Sequence, residues 1–293
     1  MKQTHQRRAS GILALCFCLW AAPDVWAKPP ILVGRAIAPA DMQPTKDAGF
    51  DYFEIGVKHY ARLSDDDFQK LRAQVKRMGV AVPFSNSFIP SDLPLVGPHA
   101  NVAAQNEYLS VSLARAKLLG VTLVVFGSGP ARSIPEGFAR DKAILQLIDF
   151  GRRAANEARR HNIVIVVEPL QSSESNILNT AAECLAYVNA VERPNFELMI
   201  DFFHMAIENE DPSIILRAGS HIRHLHIANP HGRAFPVSEE ESDYATFFAN
   251  LAKVRYHGGV SVEARSEPNL AQVAPQTLRL IRGLVAKAYG NLD

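Results

Sequence analysis

Four apolar runs decide the reading of this chain: IVIVVEPL (163–170), FELMIDFFHM (196–205), IRHLHIAN (222–229) and GVSVEAR (259–265). Each is short, rich in Val, Ile, Leu and Phe, and bounded by turn residues, which is the pattern of a strand buried on both faces. Each also carries an ionisable side chain late in the run: Glu168, Asp201, His226 and Glu263. Consecutive parallel strands deliver residues near their C-terminal ends to one rim of a sheet. Two Glu, one Asp and one His converging there offer three anionic oxygens and one nitrogen, a donor set for a hard divalent cation. Carboxylates gathered without a cation would repel one another, so the set is expected as a metal site.

Upstream of these runs the same alternation continues. ILVGRAI (31–37), YFEIGV (52–57), AVPFSNSF (81–88) and TLVVFGS (122–128) read as four further strands. Helical patterns lie between them. SDDDFQKLRAQVKRMG opens with Ser64 and an acidic first turn and ends on basic residues and Gly79, so it carries both helix-end signals. Others are expected from about 101 to 119, 138 to 161 and 269 to 289. Eight strands, each followed by a helix, predict a single-domain α/β fold, the (β/α)8 TIM barrel, over residues 28–293. A doubly wound open sheet would place a Gly-rich phosphate loop after the first strand, and VGRAIAPAD is not one.

The N-terminus reads as a targeting segment. Lys2, His5, Arg7 and Arg8 precede the apolar GILALCFCLWAA, and Val25-Trp26-Ala27 supplies small residues at a cleavage position. The stretch is too short to span a bilayer. Residues 1–27 are therefore expected to be a signal peptide and the protein to be exported, periplasmic or secreted. Arg7-Arg8 also allows twin-arginine export. Removing Lys2, Arg7, Arg8 and Asp24 takes the net charge from +1 to −1. A near-neutral body gives no electrostatic ground for a nucleic-acid partner or stable membrane association. The sequence leaves homo-oligomerisation open. Cys16 and Cys18 fall within the leader, so Cys184 alone remains and is expected to be a buried thiol without a disulfide.

His224 and His226 are two apart and share one face of their strand, so only the one nearer the rim reaches a cation held by neighbouring strands. That assigns His226 as the ligand and places His224 one layer deeper. His204 lies just past Asp201. FGSGPARSIPEGF (126–138) is expected as a rim loop whose glycines and Arg132 could hold an anionic or hydroxyl-rich ligand, with a plain connection as the alternative. Glu54 and Asn86 are further candidates for the pocket. Two carboxylates flanking a cation suit proton transfer beside a carbonyl: one Glu removes the proton and the other returns it.

DFFHMAIENED, EPLQSSES, HLHIAN and VSVE together resemble the sugar isomerase/epimerase superfamily of xylose-isomerase-like barrels, and most closely its ketose 3-epimerases and hydroxypyruvate isomerases. The resemblance covers residues 30–290, with D-x-x-H-M its most specific piece. It implies that Glu168, Asp201, His226 and Glu263 bind one divalent cation (Mn²⁺, Mg²⁺ or Co²⁺, with Zn²⁺ also compatible). It implies that Glu168 and Glu263 are the catalytic acid/base pair, and that Glu174, His204 and Arg233 contact a small-molecule sugar. Arg233 lies seven residues after His226, where the epimerases usually have six, and Asn229 replaces their acidic residue. The substrate-facing loop therefore differs. Three rival functions share the fold or the site. A lyase or hydrolase of 3-keto-glycosides would use the same proton abstraction but expel a leaving group. An apurinic endonuclease would need extra His ligands where Glu54, Ser85 and Asn86 stand. A non-catalytic sugar-binding module would not need both Glu168 and Glu263.

Overall fold

Eight parallel strands pair in chain order, and the eighth closes onto the first. They are β1 (Leu32–Ile37), β2 (Phe53–Ile55), β3 (Phe84–Ser85), β4 (Leu123–Phe126), β5 (Val164–Val167), β6 (Phe196–Asp201), β7 (Ile222–Ile227) and β8 (Gly259–Val262). The computed structural model describes residues 31–290; the expected signal peptide at 1–27, with Cys16 and Cys18, lies outside them. The expected TIM barrel is the fold of this chain. Around the barrel run α1 (Met42–Asp47), α2 (Asp65–Met78), α3 (Val102–Leu119), α4 (Gly129–Arg132) and α5 (Arg140–Arg160). They continue with α6 (Ala181–Val191), α7 (Phe202–Ile207), α8 (Ile214–Ala218), α9 (Tyr244–Lys253) and α10 (Leu270–Tyr289). No helix among the described residues is long and apolar enough to cross a membrane.

The helix signals act as the sequence predicts. Ser64 accepts a hydrogen bond from the Asp67 amide at 3.1 Å, and α2 ends at Gly79. Its buried residues Phe68, Leu71 and Val75 follow the three-to-four spacing of a face laid on the sheet. Cys184 is buried in α6.

Alternation along the strands divides two cores. Val124 and Phe126 of β4 face the large apolar layer between sheet and helices. Leu123 and Val125 point into the barrel, where they pack with Val166 and Met199. That apolar filling covers only the half of the interior built by β3 to β6. The other half is polar and buried: Glu54, His224, His226 and Ser261. At its floor lies Tyr52, whose ring occupies the space beside Gly34; a Cβ at Gly34 would come within 2.1 Å of that ring. The polar half leads upward to the rim where the four carboxylate and imidazole groups meet.

Two elements are shorter than the apolar runs suggest. AVPFSNSF yields only the two residues of β3, because Pro83 has no amide to donate to a ladder and Ser87 turns the chain at a φ of 50°. FELMIDFFHM is not one strand. Asp201 ends β6 and caps α7, its Oδ1 accepting from the Phe203 amide at 2.8 Å.

Candidate metal centre

Glu168 lies one residue beyond β5, Asp201 ends β6, His226 is next to last in β7, and Glu263 lies one residue beyond β8. Their donor atoms all fall within 4.8 Å of one another. His226 Nδ1 is 3.0 Å from Glu168 Oε1 and 3.4 Å from Glu263 Oε2. Asp201 Oδ2 and His204 Nε2 are buried and have no hydrogen-bond partner. Three carboxylates around one imidazole nitrogen, with a carboxylate oxygen left unpaired, fit a divalent cation of the kind that takes oxygen and nitrogen donors. His204 Nε2 at 3.5 Å and Arg233 Nη2 at 3.6 Å are its nearest basic neighbours, and neither makes a hydrogen bond to that oxygen.

The electrostatics report the same deficit of positive charge. Burial would lower the His226 imidazole, but Glu54 and Glu263 outweigh it and hold it well above its ordinary value. Burial pushes the Glu168 carboxyl up, and the neighbouring Glu263 and Asp201 charges add to that push. Burial acts on Glu263 in the same direction, yet His226 and Arg233 prevail and bring it down to about 2. Arg233 is held above its ordinary value against burial by Glu263, Asp201, Glu168 and Glu174.

The three residues expected to touch a sugar border this cluster. His204, on α7, is buried with its Nε2 3.5 Å from Asp201 Oδ2. Its Nδ1 accepts from the Gln171 amide at 3.1 Å, so the ring proton of the neutral imidazole sits on Nε2, on the side of Asp201. Arg233 Nη1 reaches Glu174 Oε1 at 3.3 Å, and its Nη2 contacts Glu263 Oε2 closely. The guanidinium lies over the Phe203 ring, 4.8 Å from its centre. Arg233 has a φ of 54°, a left-handed backbone uncommon for a residue other than glycine. An isolated bridge between Asn229 and Ala234 closes this substituted loop beneath it.

The expectation for Arg132 changes, and those for Glu54 and Asn86 become sharper. Arg132 does not face the site. It is fully buried, and its guanidinium donates to the carbonyls of Glu168 at 2.9 Å and Leu178 at 3.0 Å. It thereby clamps the end of β5 to the loop that follows. Gly127 of the same loop makes room for a carboxylate: a Cβ there would stand 2.2 Å from Glu168 Oε2. Glu54 and Asn86 are both at the centre. Asn86 Nδ2 donates to Glu263 Oε1 at 2.6 Å. Glu54 lies below His226 and accepts from it. For Glu54 the sequence signal is a charged residue between Phe53 and Ile55, whereas Asn86 stands between two serines just past β3.

Residues 42–284 match the profile of the xylose isomerase-like TIM barrel. An L-ribulose 3-epimerase from Methylomonas sp. is 29% identical over 244 residues, 81% of this chain and 82% of that protein. An L-ribulose 3-epimerase from Mesorhizobium japonicum is 30% identical over 230 residues, 76% of this chain and 73% of that one. Among solved structures, a D-allulose 3-epimerase from Methylomonas sp. superposes with a TM-score of 0.75 at 22% identity, covering 87% of this chain and 98% of that one. The profile spans most of the barrel described above, and on that ground the chain belongs to the xylose isomerase-like TIM-barrel family.

Proposed function

We propose that this protein is an exported, divalent-metal-dependent epimerase or isomerase of a non-phosphorylated keto-sugar, with Glu168 and Glu263 as its acid/base pair. The chain is an enzyme of the sugar epimerase and isomerase kind, as its relatives are. The observation that carries the finer reading is the convergence of Glu168, Asp201, His226 and Glu263 around an unpaired buried oxygen.

Glu168, Asp201, His226 and Glu263 would hold the cation. When bound, a divalent ion there polarises a ketose carbonyl and acidifies the adjacent C–H. The protein's own groups do the rest. One of Glu168 and Glu263 takes the proton from carbon. The other returns a proton to the same carbon from the opposite face, which inverts it, or to the neighbouring position, which moves the carbonyl. Either outcome conserves atoms and electrons and needs no oxidant. His204 donates its Nε2–H to a sugar hydroxyl, with its tautomer fixed by the Gln171 amide. Arg233 and Glu174, already paired across the mouth, orient the remaining hydroxyls.

A panel of non-phosphorylated ketoses incubated in D2O with and without Mn²⁺, read by NMR, tests this reading. It predicts deuterium at the carbon next to the carbonyl together with an epimer or isomer, dependent on the ion. A 2-ene sugar or a released aglycone from a 3-keto-glycoside would transfer the site to the lyase reading. Absence of exchange from every ketose would refute the proposal. For export, N-terminal sequencing of secreted or periplasmic protein should begin at or next to Lys28; an intact Met1 refutes cleavage.

A further inference from the structure

Beneath the four candidate ligands lies a carboxylate that the proposed reaction does not use. Glu54, on β2, is fully buried. Its Oε1 is 3.0 Å from His226 Nε2 and its Oε2 is 2.9 Å from His224 Nε2. Ser261 Oγ makes a short contact to the same Oε2 and lies 2.9 Å from the Tyr52 hydroxyl. Two imidazole nitrogens and a hydroxyl, all able to donate, thus surround its two oxygens, which is the environment of an ionised acceptor.

An ionised carboxylate offers acceptors only. Both imidazoles must therefore present N–H through Nε2. For His226 this decides what the other nitrogen can do. Nδ1 faces Glu168 Oε1 and Glu263 Oε2, at 3.0 and 3.4 Å. When the ring is neutral, Nδ1 carries the lone pair, aimed at the place where the carboxylates converge. The opposite tautomer would set a lone pair against Glu54 and an N–H against a bound cation. Glu54 is itself held by two donors on Oε2, so it cannot turn away without leaving a buried charge unpaired.

We propose that Glu54 is a positioning residue for the metal: it fixes His226 as the Nε2–H tautomer and aims Nδ1 at the cation, with His224 and Ser261 holding Glu54 in place. The inference rests on the quartet being a divalent-metal site and is independent of which sugar is turned over. A carboxylate behind a ligating imidazole also strengthens the ligand nitrogen, and loss of such a partner weakens metal binding by about 10–100-fold.

Two measurements without any sugar test it. The first is the Mn²⁺ dissociation constant of the wild type, Glu54→Gln and Glu54→Asp, with circular dichroism to establish folding. Glu54→Gln should weaken binding by about 10–100-fold, and Glu54→Asp, which keeps charge but loses reach, should shift it in the same direction. A folded Glu54→Gln that binds within about twofold of wild type, even with a lowered melting temperature, would reduce Glu54 to a packing role and overturn the proposal. The second is the ¹⁵N spectrum of histidine-labelled wild type with Mg²⁺, which does not depend on a variant folding. The imidazole that responds to Mg²⁺ should be protonated at Nε2 and bare at Nδ1; the reverse overturns the proposal. Failure of the keto-sugar reading would leave both results intact, whereas a wild type that binds no Mn²⁺ would defeat this inference.

Discussion

Gly127→Ala places a methyl group where the structure has none to spare. The new Cβ would lie 2.2 Å from Glu168 Oε2 and 3.3 Å from its Cδ. To reach ordinary van der Waals contact the carboxylate must withdraw by roughly 1 Å, because apolar carbon and oxygen do not approach closer than about 3.4 Å at low cost. It cannot do so freely, since Glu168 Oε1 is engaged with His226 Nδ1 and its carbonyl is held by Arg132. A displacement of about 1 Å at a reacting group costs on the order of 10²-fold in rate. Gly127→Ala should therefore lower kcat on the true ketose by about that factor and weaken Mn²⁺ binding. The overpacking should cost about 1–3 kcal/mol of stability, read as a change in urea midpoint. Gly283→Ala is the matched control. It lies inside α10 with nothing within 4 Å of a new Cβ. It should stabilise the chain by about 0.5–1 kcal/mol and leave kcat unchanged. Wild-type turnover and metal affinity in Gly127→Ala would show that Glu168 does not sit against this loop in the working enzyme, and the reasoning would fail.

Arg132→Leu should cost about 1–3 kcal/mol for the buried Glu168 carbonyl it leaves bare, since the Leu178 carbonyl keeps the Leu170 amide at 3.2 Å, and thermal unfolding measures it. The His226 imidazole is raised in the metal-free protein, so its stabilising contribution is complete below the ordinary imidazole value near 6.5 and is lost as pH rises through the raised value. Metal binding must displace that proton. Apparent Mn²⁺ affinity should accordingly rise with pH, and titration calorimetry in buffers of different ionisation enthalpy should show proton release; pH-independent affinity would contradict it. Glu168→Gln and Glu263→Gln should each lower turnover by about 10²–10⁴-fold with metal content measured alongside. Near-normal turnover in either metal-loaded variant would rule out the two-carboxylate proton transfer.

Much of the barrel was legible because strands buried on both faces must be apolar throughout. VIVV ahead of Glu168 and GVSV ahead of Glu263 leave a lone carboxylate at a strand end conspicuous. The same logic hid other features. FELMIDFFHM looks like one long strand around Asp201, yet Asp201 ends the strand and caps α7, and Phe202, Phe203 and Met205 are apolar because they are buried in a helix. Glu54 sits between Phe53 and Ile55, and sequence spacing does not reveal that its oxygens meet histidines from a strand 170 residues away. Arg132 stands among glycines and a proline, the composition of a ligand loop. Only the folded chain shows its guanidinium consumed by carbonyls.

The most direct measurement of the account is anomalous diffraction from a crystal of the protein grown or soaked with Mn²⁺. The account predicts one peak bonded at about 2.0–2.3 Å to Glu168, Asp201, His226 Nδ1 and Glu263, at the point where the four donor sets converge. A peak elsewhere, or one bonded to His226 through Nε2, would contradict it.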